Sequence, residues 1–199
     1  MIPDVIINLL IFLMTAFIIF RFARKDHQWA PERIRKAFRY FTCQSNVLCA
    51  AASLMMAVSQ LAGCVPQWVR ILKYMGTAAV TVTMLTVFLF LWPLLGKGGL
   101  RKLLRGSDFF LHLAIPLMAI LTFSLPEKQG MTFPQCLWGL LPVVLYGPLY
   151  FYRTLYAPEG KRWDDFYMFN KNGKWPLSCA CMLAGAFLIC LALMRLQNI

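Results

Sequence analysis

The sequence predicts an all-α polytopic membrane protein, one integral-membrane domain over residues 1–199 built as a bundle of six transmembrane helices. Three observations lead there. Of the 199 residues, 60% are hydrophobic and 14% charged, and the mean hydropathy is +0.62, outside the range of ordinary soluble domains. Six runs, at about 3–20, 38–62, 68–95, 109–125, 135–152 and 176–194, approach or exceed the roughly 20 apolar residues that carry a helix across about 30 Å of hydrocarbon. None alternates with the two-residue period of a barrel strand, so helices are left to satisfy the backbone in lipid.

The first run begins Met1-Ile-Pro-Asp4, with no basic segment before it and no small-residue cleavage site after Phe20, and is expected to be a retained span. The second differs from the rest. Where the others are Leu, Ile, Phe and Val, it opens with Thr42, Gln44, Ser45 and Asn46, polar groups that need partners in lipid. Thr42, Asn46, Cys49 and Ser53 follow i, i+4, i+7, i+11 and share one helical face. Pro93, Pro116, Pro142 and Pro148 fall inside or near the ends of the third to fifth runs. Each removes a backbone donor and frees a carbonyl about one turn earlier; for Pro116 that carbonyl is expected to be His112's. In the last run Cys181 with Gly185, and Ala180 with Ala184, suit close helix packing.

Basic residues set the expected topology. Sixteen of the twenty lie in the first, third and fifth connections, from Arg21 to Arg39, Lys97 to Arg105 and Arg153 to Lys174; Arg70, Lys73, Lys128 and Arg195 fall on the other side. The positive-inside bias makes those three connections cytoplasmic and both termini extracytoplasmic. Short loops and the retained first run suit a bacterial inner membrane. The net charge of +12 would suggest nucleic acid in a soluble chain, but beside apolar runs it reports orientation, and no nucleic-acid partner is expected.

Ordinary enzyme signatures are missing. There is no zinc-ligand spacing, no G-x-S-x-G elbow, no phosphate-binding glycine loop and no dinucleotide fingerprint, so neither metal nor cofactor is expected. The seven cysteines lie mostly in apolar runs, as small packing residues. Cys64 and Cys136 fall near loops, and the plain reading is two unrelated thiols. The connection 152–176 mixes aromatics with charges. It reads as an interfacial segment, the alternative being a lid over a cytoplasm-facing pocket with Asp164 or Asp165 contributing a carboxylate.

Two histidines are present, His27 in a basic connection and His112 inside the fourth run. An ionisable side chain within a span points to function, against the alternative of a hydrogen bond to a neighbouring helix. Asp108 lies four residues earlier, placed to orient the ring or to start the helix. Entering from the basic side, Thr42 and His112 each sit about one turn inside their spans, at similar depth. The polar stripe around Thr42 is then either a packing surface, or a nucleophile at Thr42 with Asn46 as oxyanion donor.

Phe38-Arg-Tyr-Phe-Thr-Cys-Gln-Ser-Asn46, Phe110-Leu-His-Leu-Ala-Ile-Pro116 and Tyr146-Gly-Pro-Leu-Tyr150, in this order with the aromatic fifth connection, resemble the androgen-induced/androgen-dependent six-span membrane protein family and its bacterial relatives. The resemblance implies a membrane-embedded hydrolase of fatty acid esters of hydroxy fatty acids, with Thr42 as nucleophile and His112 as base. Ser45-Asn46 after the threonine, and a lone histidine where animal members carry a second one just upstream, depart from the animal pattern. On this reading Asn46, Tyr146 and Tyr150 line the substrate site, Asp108 and Ser45 support it, and the partners are membrane lipids or acyl esters. The alternative is a non-catalytic transport or lipid-binding bundle with Thr42, Asn46 and His112 as a polar intramembrane site. The dyad requires the Thr42 hydroxyl and a His112 ring nitrogen within hydrogen-bond reach or one water apart.

Overall fold

The computed structural model describes all residues except Met1, Asp26, His27, Lys97, Leu100, Lys102 and Leu103. His27, Lys97 and Lys102, which the sequence places in basic connections, lie outside the described residues. The described chain is all-α apart from one small ladder. Five helices are long and apolar enough to cross a membrane: α1 (Ile2–Phe22), α3 (Phe41–Leu61), α4 (Gln67–Leu95), α5 (Ser107–Ser124) and α7 (Trp175–Asn198). Between α1 and α3, where the sequence shows only a basic loop, the two-residue strands β1 (Arg24–Lys25) and β2 (Gln28–Trp29) pair antiparallel, and α2 (Pro31–Ala37) follows.

The expected span at 135–152 is not one uninterrupted α-helix. Residues 133–156, here α6, run as Phe133–Leu137, a 3₁₀ turn at Trp138–Leu140, Leu141–Phe151 and a π turn at Tyr152–Tyr156. Pro142 accounts for the break, because it offers no N–H to the Trp138 carbonyl and its ring crowds that oxygen.

Proline also shapes α5. Phe110–Ala114 is a π turn in which the Ile115 N–H reaches the Phe110 carbonyl, five residues back. The next bond in that register would come from residue 116, a proline, so the orphaned carbonyl is that of Leu111. This corrects the expectation for His112. The orphan is taken up by Asn46, whose Nδ2 donates to the Leu111 carbonyl at 3.1 Å.

Helix α4 is central, touching α3, α5, α6 and α7. Its residues Gly76 through Thr83 are all buried, as expected of a helix enclosed on every side. Gly76 allows the closest approach: a Cβ there would stand 2.7 Å from the Cys49 Cα of α3. Helix α1 is apolar on its outer face, where Ile6, Leu10, Leu13 and Phe17 are exposed, while Asp4, Asn8 and Thr15 are buried.

Lys73, which the sequence assigns to the sparsely charged side, is fully buried two turns into α4. Its Nζ donates to Asn8 Oδ1 at 2.6 Å and to Ser53 Oγ at 2.9 Å, with Glu127 Oε1 at 4.0 Å. Asn8 Nδ2 in turn donates to Glu127 Oε1 at 2.5 Å. Burial pushes the Glu127 carboxyl above its usual range, and the Lys73 charge opposes that shift. The segment carrying Glu127 is fastened to the end of α7: the Gln129 and Met131 N–H groups donate to the side chains of Gln197 and Asn198 at 3.0 and 2.8 Å. All seven cysteines are free, with Cys64 exposed and Cys136 buried.

Candidate functional site

At the end of the bundle that carries the basic connections, a cavity of about 600 Å³ opens between α3, α4, α5 and α6. Its wall is mainly apolar and aromatic, and Thr42, Asp108, His112 and Tyr146 contribute to it. Thr42 Oγ1 lies 3.4 Å from His112 Nε2. That is long for a resting hydrogen bond, as catalytic pairs without substrate often are. Both side chains are half-buried. His112 sits within the π turn Phe110–Ala114, whose wider register sets where its side chain leaves the helix.

Ser45 and Asn46 act on Thr42 from behind and do not line the cavity. Both are buried. Asn46 Nδ2 donates to the Thr42 carbonyl at 2.8 Å as well as to Leu111, and Ser45 Oγ donates to the same Thr42 carbonyl at 3.1 Å and lies 2.8 Å from Thr83 Oγ1. With its two amide hydrogens engaged by carbonyls, Asn46 has none for an oxyanion. It clamps α3 to α5 at the level where Thr42 meets His112. Asp108 faces the cavity and interacts electrostatically with His112, one helical turn away.

The connection after α6 covers the cavity. Phe166, Tyr167 and Phe169 form part of its wall, so this segment is the lid that the sequence offers as the alternative to an interfacial strip. Asp165 contributes its carboxylate to lid structure. Oδ1 accepts from the Tyr150 hydroxyl at 2.6 Å and the Phe169 N–H at 2.9 Å, and Oδ2 accepts from the Asn170 N–H at 2.8 Å. Tyr150 is thus a lid anchor beneath the cavity wall, with its ring stacked on Tyr146 at a centroid distance of 5.8 Å. Tyr146 reaches the cavity, and its hydroxyl donates to the Arg39 carbonyl at 2.7 Å.

Sequence reasoning missed Tyr167. Helix α3 has no side-chain cap from its own N-terminal residue, Tyr40. The Tyr167 hydroxyl supplies one from the lid, accepting from the Phe41 N–H at 3.0 Å. Burial pushes this phenol up to about 12, with the backbone N–H of Phe41 and the Thr42 groups opposing the rise. Aromatic density in a loop is the sequence signal that points to a lid, but it does not say which ring reaches α3. Arg33 and Lys36 of α2 form a basic rim, and both are exposed. Among the described residues no group of three or more His, Cys, Asp or Glu converges as a metal site.

Comparisons with protein-family models, curated proteins and solved structures match nothing to this chain. Its class therefore rests on its own features, an α-helical bundle with a lidded apolar cavity that brings a threonine hydroxyl to a histidine.

Proposed function

We propose that the protein is a six-span membrane hydrolase that cleaves lipid esters through Thr42 as nucleophile and His112 as base, with α6 as its fifth span. The observation that carries this reading is the 3.4 Å approach of Thr42 Oγ1 to His112 Nε2 in the wall of a lidded, mainly apolar cavity. The outward apolar face of α1, opposite a buried polar one, supports lipid as the surrounding medium. On this reading the basic rim of Arg33 and Lys36 lies at cytoplasmic headgroup depth, and acyl chains enter the cavity from there.

The chemistry balances with these two side chains and water. Thr42 Oγ attacks the acyl carbonyl while its proton passes to Nε2 of the unprotonated imidazole. His112 returns that proton to the leaving alkoxide as the C–O bond of the ester breaks, leaving an acyl-threonine. Water, deprotonated by His112, then attacks the acyl carbon, and the proton goes back to Thr42 as the fatty acid departs. The family resemblance points to fatty acid esters of hydroxy fatty acids as substrates.

A fluorophosphonate probe with a long alkyl chain is expected to label Thr42 in bilayers, and Thr42→Ala and His112→Ala are each expected to abolish ester turnover. Acting as one unit, the two substitutions combine non-additively. Absence of labelling in both detergent and bilayer, with turnover unaltered in either variant, refutes the dyad. The buried Lys73 favours one rival, a transport or lipid-binding bundle, since intramembrane ionisable groups mark ion and substrate pathways. The same labelling experiment separates the two readings.

A further inference from the structure

We propose that Tyr167 is a third catalytic residue, whose phenolic O–H donates to the oxyanion formed when Thr42 attacks an acyl carbonyl. This rests on the hydrolase reading above and adds the electrostatic component that reading lacks.

Tyr167 belongs to the lid, yet its hydroxyl stands at the first turn of α3. It accepts from the N–H of Phe41, the residue next to Thr42, at 3.0 Å, and Tyr167, Thr42 and His112 all line the same cavity. The first turn of α3 therefore meets two groups of opposite chemistry. His112 Nε2, at 3.4 Å, takes a proton; Tyr167 has a proton to share. The Phe41 N–H engages the phenol oxygen from the positive end of a 21-residue helix, which polarises the O–H and makes it a stronger donor.

Two other donors near Thr42 are already engaged. The Tyr146 proton goes to the Arg39 carbonyl, and the two Asn46 amide hydrogens go to the carbonyls of Thr42 and Leu111. Tyr167 lines the same cavity as Thr42 and His112. A tetrahedral oxyanion formed there is a stronger acceptor than any neutral oxygen, so a bond from the phenolic O–H strengthens where charge develops.

In the step itself the Oγ–C bond forms as the carbonyl π pair moves onto oxygen. The Thr42 proton moves to His112. Tyr167 keeps its own proton and shares it with the oxyanion. When the carbonyl re-forms, the alcohol leaves with the proton from His112 and the Tyr167 bond relaxes.

The test uses the full-length protein in nanodiscs, a 4-nitrophenyl long-chain acyl ester, and Tyr167 replaced by phenylalanine or by a series of fluorotyrosines of graded acidity. Tyr167→Phe is expected to lower kcat by about 10²–10³-fold with KM nearly unchanged. The fluorotyrosines keep the ring and its hydroxyl, and log kcat is expected to track phenol acidity below the pH at which each ionises. A purely structural role in capping α3 would leave that series flat. Because the series retains the hydroxyl, it decides the matter even if Tyr167→Phe fails to fold. A flat series with Thr42→Ala inactive refutes the role of Tyr167 and leaves the hydrolase standing; a wild-type protein that neither labels at Thr42 nor turns over ester refutes both.

Discussion

Replacing Asp165 with asparagine should loosen the lid by a measurable and local amount. The wild-type carboxylate accepts three hydrogen bonds, two on Oδ1 from Tyr150 and Phe169 and one on Oδ2 from Asn170. An asparagine oriented to keep its oxygen at the Oδ1 position presents an NH₂ group to the Asn170 N–H, and donor then faces donor. One charge-assisted bond is lost, worth about 1.5–3 kcal/mol, and half-burial of Asp165 places the loss near ~2 kcal/mol. At about 1.36 kcal/mol per decade, the opening equilibrium of the lid rises about 30-fold. Hydrogen exchange in detergent reads this directly. The amides of Phe169 and Asn170 should exchange about 30-fold faster, while those of Ala78–Val80 in α4 keep their protection. Unchanged exchange at Phe169 and Asn170 would show that Asp165 does not hold the lid. Equal acceleration in α4 would show that the lid and the bundle open as one unit.

Gly76→Ala places a Cβ 2.7 Å from the Cys49 Cα, where backbone rather than a flexible side chain must yield; a loss of about 1–3 kcal/mol is expected, read as a lower Tm. Lys73→Met removes one partner of a buried pair and should destabilise by about 3–5 kcal/mol, whereas Lys73→Met with Glu127→Gln should recover much of that; a double variant no more stable than the single one argues against pairing. Because burial raises the Glu127 carboxyl, the folded state binds that proton more tightly than the unfolded chain does. Its contribution to stability is whole below the ordinary glutamate range and is lost as pH rises through the raised value, so Glu127→Gln should flatten that part of the Tm-against-pH curve. Asn46→Leu leaves the Leu111 carbonyl buried without its partner, at a cost of about 1–3 kcal/mol, and should lower kcat by loosening the α3–α5 clamp; normal stability and turnover would remove that role.

The apolar runs, and the shared depth of Thr42 and His112, could be read from the sequence because hydropathy and charge asymmetry are one-dimensional signals. The interruption at Trp138–Leu140 follows from Pro142 once register is considered. The task of Asn46 was half legible: spacing put it on the face of Thr42, but the partner it meets depends on a π register in another helix. The place of Tyr167 was not legible, since its bond to Phe41 spans 126 positions and loops carry no periodicity. The burial of Lys73 was not legible, for a physical reason. Charge counting assumes that a lysine near a helix end reaches water, and here Asn8 and Ser53 offer oxygens inside the bundle instead.

That lysine also constrains the order of assembly. On the six-span reading, α4 must carry an ammonium into hydrocarbon during synthesis, before the segment bearing Glu127 has been made. Asn8 and Ser53 precede Lys73 in the chain, so α1 and α3 can offer two neutral acceptors at once while the carboxylate arrives later. The first three spans would then dock as an early hairpin cluster, with their charge solvated by protein, and the later segments would close over it. Chains halted after α4 should accordingly integrate stably with Asn8 and Ser53 intact and slip toward the lumen of the insertion machinery when both are alanine.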